Sequence, residues 1–294
     1  MPRKTDADKI LRIQRAFHRE WLDNPATIEM KARAECFLEE KAESDSPAGR
    51  MMMSDRLVRL ATWYGTSGHI SLMDQNPLGW MQIHRSWLYL SLALRTRISV
   101  FQKGRVLGQL RPVKSLETEA SASALCLAYA LTVHRDFETR FFGDAVQGML
   151  LDKDTVREAY WKHHFTEAFM IQLLALFRGE NLNATKGPRH GLGVYQTVLD
   201  AWNTPSSLAE AIAIACDFHC ERIEDKSNKF SAEFRSPPFD LVPAEIYAIY
   251  AVREAQGLDT PRVDHPLIAE LYSVPAGSPD EVQDSLLDQV EATL

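Results

Sequence analysis

Cysteine is scarce in this 294-residue chain. Its four thiols, Cys36, Cys126, Cys216 and Cys220, are too few and too scattered for a disulfide framework. Glycine and proline number 14 each, which excludes a collagen-like repeat and Pro/Gly-rich low complexity. No apolar run reaches the roughly 18 residues that a membrane span needs; the closest, Phe165 to Phe177, contains Glu167 and Gln172. The opening Met1-Pro2-Arg3-Lys4-Thr5-Asp6 leads into a polar helical pattern, not the apolar core of a leader. A soluble, cytoplasmic protein is therefore expected. There is no repeat of about 20–50 residues that would mark a solenoid.

Catalytic signatures are missing as well. There is no Walker A sequence, no G-x-G-x-x-G opening a helix, no G-x-S-x-G elbow and no H-E-x-x-H. No acid lies three residues before any of the nine histidines, so the Glu-x-x-His ligand pair of di-iron bundles is absent. His134-Arg135-Asp136 imitates a kinase catalytic loop, but Phe141 stands where the metal-binding Asn is needed. No cofactor or metal is called for by these patterns, and the chain reads as a non-enzyme.

Charge is unevenly divided. Residues 1–147 have a balance of +4 and residues 148–294 one of −11. Gln75 to Leu116 has no acid and seven bases, Arg85, Arg95, Arg97, Lys103, Arg105, Arg111 and Lys114. The overall pI near 5.7 argues against nucleic acid as the main partner. Internal pairing with the acidic half is the expected fate of the 85–114 bases, a nucleic-acid-binding regulator the rival one.

What is present is helical periodicity. Ile10, Ile13, Phe17 and Trp21 share one helix face. Further helices are expected over Thr27–Glu43 and Met51–Tyr64, with a loop at Asp45-Ser46-Pro47-Ala48-Gly49. Asn76-Pro77 opens a long apolar helix, and another covers Leu116–Val133. One continuous helix is expected from Asp154 to about Arg178, its second half apolar nearly all round and hence central in a bundle. Helices over Leu208–Asp225 and Pro243–Ala255 follow, and a last one runs from Pro279 with Val282, Leu286, Leu287 and Val290 inward. The expected fold is all-α, an irregular multi-helix bundle read as one domain. Residues 1–74 form a helical segment packing on the main domain, 75–294. A short β-hairpin over 98–110 is the one rival to helix.

Three clusters bear on function. Cys216, His219 and Cys220 fall within one helical turn, where soft metal ligands would sit; their place on the apolar face favours core packing. His163 and Glu167, four apart on one helix face, read as a buried hydrogen-bonded pair, or as the acid–base pair of a helical enzyme. Acidic rows are the third. Glu210, Asp217, Glu221 and Glu224 line up opposite an apolar face, and Asp280, Asp284, Asp288 and Glu291, with Glu281, do the same in the tail. Such rows attract a basic partner quickly and specifically.

Two segments carry a family resemblance. The first is the apolar helix Trp80-Met81-Gln82-Ile83-His84-Arg85-Ser86-Trp87-Leu88-Tyr89-Leu90-Ser91-Leu92-Ala93-Leu94. The second is Ser236-Pro237-Pro238-Phe239-Asp240-Leu241-Val242-Pro243-Ala244-Glu245-Ile246-Tyr247-Ala248, entering a late helix through proline. Over residues 75–260 the chain resembles the all-helical immunity proteins that bacteria encode beside polymorphic or type VI secreted toxins, the immunity protein 49 type. The resemblance implies an antitoxin that binds and neutralises a cognate effector, commonly a nuclease. It carries over no functional residue. The two acidic rows are the expected partner-binding residues, with a basic nuclease domain as partner. The aromatic content suggests a homodimer.

Overall fold

A computed structural model describes residues 6–41, 46–106, 116–152, 154–180, 191–223, 233–269 and 275–293. Its helices, in chain order, are α1 (Ala7–Asp23), α2 (Pro25–Lys41), α3 (Pro47–Met73), α4 (Gly79–Val106), α5 (Glu117–Thr132) and α6 (Asp136–Leu151). They continue with α7 (Thr166–Phe177), α8 (Tyr195–Asp200), α9 (Pro205–Glu221), α10 (Ala244–Ala255), α11 (Pro266–Ala269) and α12 (Ser285–Glu291). No strand occurs among the described residues, and the fold is all-α. None of these helices is long and apolar enough to cross a membrane.

The chain divides into two compact units, each gathered from separated stretches. One comprises Met1–Leu11, Val113–Arg235 and Val242–Val274; the other comprises Arg12–Pro112, Ser236–Leu241 and Pro275–Leu294. The division cuts across residue 74, since α3 before it and α4 after it belong to the same unit.

In that unit α3 and α4 pair as a long antiparallel hairpin, with α2 on α3 and the tail helix α12 on α2 and α4. The turn between α3 and α4 is tight because glycines meet there. A Cβ on Gly68 would lie 2.9 Å from the Gly79 carbonyl, and one on Gly79 would lie 2.7 Å from the Gly68 carbonyl. Hydroxyls tie the hairpin along its length: Ser86 Oγ donates to the Ala61 carbonyl (2.6 Å) and Ser54 Oγ to that of Ala93 (3.1 Å). Pro47 starts α3, capped by Ser46 Oγ accepting from the Gly49 N–H, so the expected loop at 45–49 is in part the first helical turn. Asp45 itself lies outside the described residues. Helix α4 continues through Val106, so no hairpin forms over 98–106; residues 107–110 lie outside the described set.

In the other unit α5 is central. It is buried nearly throughout, and α6, α7 and α10 pack on it. Helix α7 is almost as enclosed, as its lack of a polar face requires. The expected continuous helix from Asp154 does not form. Turns and a 3-10 segment, Tyr160–Lys162, precede α7. The cause is a distant cap: one oxygen of Glu233 accepts the Phe165 and Thr166 N–H groups at 3.0 and 2.8 Å, satisfying the donors of a new helix start. Helix α6, unforeseen in the sequence, opens with Asp136 and Glu138 in its first turn, where the helix dipole favours acids.

Candidate functional site

The acids expected to bind a partner sit in different settings. On α9, Glu210 and Glu221 are exposed and Asp217 is half-buried, its Oδ1 3.3 Å from His265 Nε2. Ile214, 42% exposed, completes this row. Glu224 lies outside the described residues. Residues 210, 214, 217 and 221 recur at i, i+4, i+7 and i+11, one stripe along the outer side of the helix. Opposite it, Leu208, Ile212, Ala215, Cys216, His219 and Cys220 are buried. His219 Nδ1 bonds Glu245 Oε1 at 2.8 Å and stacks on Phe234. Burial pushes both thiols up, Cys220 to about 12, so neither is a ready thiolate.

The tail acids do not share a single helix face. Asp280 is on a 3-10 turn, and helix resumes only at Ser285. Asp284 caps α12, its Oδ1 accepting from the Leu286 and Leu287 N–H groups. Its other oxygen accepts from Tyr89 Oη at 2.9 Å and lies 3.4 Å from Arg85 Nε. Glu291 pairs with Arg95 at 2.9 Å, whereas Asp288 is exposed. Asp284 is thus a cap and anchor, not part of an open acidic face. The same contacts account for much of the basic stretch: Arg85 and Arg95 meet tail acids, and Arg97 meets Asp55 at 2.5 Å. Lys103 and Arg105 are exposed, and Arg111 and Lys114 lie outside the described residues.

His163 and Glu167 are not brought together. His163 is exposed on the turn before α7, its carbonyl accepting from Arg222. Glu167 is buried and accepts from Tyr160 Oη at 2.5 Å. Burial, then the nearby Glu233 charge, raises its carboxyl to about 8. The pairing predicted from an unbroken helix fails because Glu233 breaks that helix.

A buried polar cluster among the described residues is one that sequence reasoning missed. It lies in the α3–α4 unit and joins His18 of α1, His69 of α3 and Asp240 of the short stretch Ser236–Leu241. All three are buried, none more than 1% exposed. His18 Nε2 bonds Asp240 Oδ2 at 2.6 Å, and Gln14 Nε2 donates to the same oxygen at 2.7 Å. His69 Nε2 bonds the Pro238 carbonyl at 2.9 Å. A carboxylate and a carbonyl only accept, so each Nε2 donates here. The two Nδ1 atoms are 3.3 Å apart, the rings stacked with centroids 5.1 Å apart. Burial holds His69 down at about 4. Asp240 is lowered although burial opposes its charge, because His18, His69 and Gln14 together outweigh that penalty.

Helix α1 turns to serve this cluster. Its buried row is Ala7, Leu11, Gln14 and His18, while Ile13 and Phe17 are 52% and 55% exposed. The expected inward face, Ile10-Ile13-Phe17-Trp21, is displaced by one residue, about 100° around the helix. Only the i, i+4 spacing of Gln14 and His18 hinted at this; His69 and Asp240 are 51 and 222 residues from His18. Compared with known proteins, the chain matches no family model, no curated sequence and no solved structure.

Proposed function

We propose that this chain is an immunity protein. It works in the cytoplasm of the producing cell, where it binds and neutralises a cognate secreted toxin, a nuclease effector of a type VI secretion system. The observation that carries the reading is the outer stripe of α9, where Glu210, Asp217 and Glu221 surround the exposed Ile214 on a helix with no Lys or Arg. A nuclease cleft is built to hold phosphates, and carboxylates at helical spacing offer the same charge. They speed encounter with a basic surface, while an apolar residue in their midst supplies an anchor of the kind that dominates interface energetics. The resemblance of residues 75–260 to immunity proteins points the same way.

The test is co-purification with the product of the adjacent open reading frame, together with rescue of cells that express it. Tight capture and rescue are expected. Reversing Glu210 and Glu221 to lysine should weaken capture by about tenfold or more, chiefly by slowing association, with a smaller salt dependence. Ile214→Ala should instead speed dissociation. Absence of both capture and rescue would overturn the reading.

A further inference from the structure

We propose that the outer side of α1 is the contact surface for a second copy of this chain, the two helices packing antiparallel about Ala16. The proposal is independent of the toxin reading. Helix α1 is apolar on two sides. Leu11 is buried on the inner side with Gln14 and His18, while Ile13 and Phe17 stand more than half exposed. These two are one turn apart, and the half-buried Ile10 and Trp21 extend their row. A lone exposed apolar residue is ordinary, but a row of them along one helix marks a place of contact.

The charges of the same helix identify the occupant. Lys9, Arg12, Ala16, Glu20 and Asp23 are all exposed and recur at i, i+3, i+7, i+11 and i+14, the outermost row. Among the described residues no ion pair involves the four charged members of that row. The bases fall in its first half and the acids in its second, at matched distances from Ala16. Lys9 and Asp23 are each seven residues away, Arg12 and Glu20 each four. A copy lying antiparallel, related by a two-fold axis through Ala16, therefore sets Lys9 against the partner's Asp23 and Arg12 against the partner's Glu20. A parallel copy would set like against like. The axis is perpendicular to the plane of the two helices, so both apolar flanks stay on one side, and Ile13 of each copy meets Phe17 of the other. With only a methyl group at the crossing, Ala16 lets the helix axes come to about 8 Å, the near end of the usual range. The remaining charges of α1 are engaged elsewhere. Arg19 pairs with Asp74 at 2.5 Å, Asp8 sits in the first turn where the helix dipole favours an acid, and Arg15 is half-buried. Exposed ion pairs add little affinity; they set orientation and register, while Ile13 and Phe17 of both copies supply the attraction. One helix pair is a small interface, below about 1,200 Å², so the dimer is weak and concentration-dependent.

Sedimentation equilibrium of the full chain, from micromolar to near-millimolar concentration, should show the mass rise from 33.3 kDa toward twice that value. Phe17→Ala should raise the dimer dissociation constant about tenfold or more, and Arg12→Glu should raise it several-fold by placing two acids in opposition. Combining Arg12→Glu with Glu20→Arg exchanges the charges while keeping their match, and should restore the dimer. All three positions are exposed, so the variants should fold, as circular dichroism can verify. A chain that is monomeric at every concentration overturns the proposal. So does a dimer indifferent to Phe17→Ala and Arg12→Glu, or one that the charge exchange fails to restore. A monomeric chain whose toxin capture is lost with Phe17→Ala assigns this face to the toxin, and overturns the dimer as well.

Discussion

Glu167 is the side chain through which pH should act on stability. Its carboxyl is enclosed by Tyr160 and faces the Glu233 charge, so the native state keeps its proton up to about pH 8. Below the ordinary value near 4.5 both folded and unfolded chains are protonated, and the group has no effect. As pH rises from there the unfolded chain releases its proton while the native chain retains it, so stability falls until the native group ionises too. Each pH step of one across that window removes about 1.4 kcal/mol, and the whole effect amounts to a few kcal/mol. Glu167→Gln keeps the shape and the Tyr160 contact while removing the proton equilibrium. Urea unfolding should find the variant close to wild type at about pH 5 and more stable at about pH 8, with a flatter profile between. The sequence made Glu167 legible as a buried acid on an apolar face but paired it with the wrong residue. Tyr160 reaches it only because the chain breaks before Thr166. The break comes from Glu233, 67 residues away from Thr166, and no local pattern reports that.

At the scale of elements, the α3–α4 hairpin is the sharpest case of close packing. Helices approach so nearly only where side chains are missing, and Gly68 and Gly79 each put a backbone carbonyl where the other's Cβ would go. Gly79→Ala must push aside the backbone of Gly68 and Leu72, at 2.7 and 2.9 Å, as well as Leu72 Cγ at 2.6 Å. A loss of about 1–3 kcal/mol is expected, the range for overpacking, read by chemical denaturation. Helical periodicity made most of this architecture readable. The long apolar helix after Asn76-Pro77, the 116–133 helix and the enclosed character of α7 were all visible, because each depends on contacts at i+3 and i+4. Elements fixed by distant partners were not. The start of α7 is set by Glu233 and the orientation of α1 by Asp240. The tail is set by Asp284, which spends its carboxylate on capping and on Tyr89 and Arg85 instead of lying on an acidic face.

For the molecule as a whole, neither compact unit is a continuous piece of chain. The α3–α4 unit needs Ser236–Leu241 and Pro275–Leu294 in addition to Arg12–Pro112. A fragment ending at Pro112 therefore lacks Asp240, the carboxylate that compensates His18, and also Asp284, which accepts from Tyr89 and neighbours Arg85. Buried polar groups stripped of partners cost about 1–3 kcal/mol each, more when charged. Against a total stability of only about 5–15 kcal/mol, such losses leave little. Circular dichroism and limited proteolysis of residues 12–112 should show weak cooperativity and rapid cleavage, whereas the full chain resists. A resistant fragment with a sharp melting transition would show that the later segments merely decorate a self-sufficient hairpin.

The reach of Asp240 across the chain also bears on how the protein is made. Translation delivers about 5–20 residues per second, so the stretch from Pro112 to Asp240 takes on the order of ten seconds to synthesise. Throughout that interval α1, α3 and α4 are outside or leaving the ribosome with His18 and His69 still lacking their carboxylate. The nascent first hundred residues, rich in apolar helix, must wait for a segment not yet translated, and during that wait they are natural clients for the chaperones that hold unfinished chains.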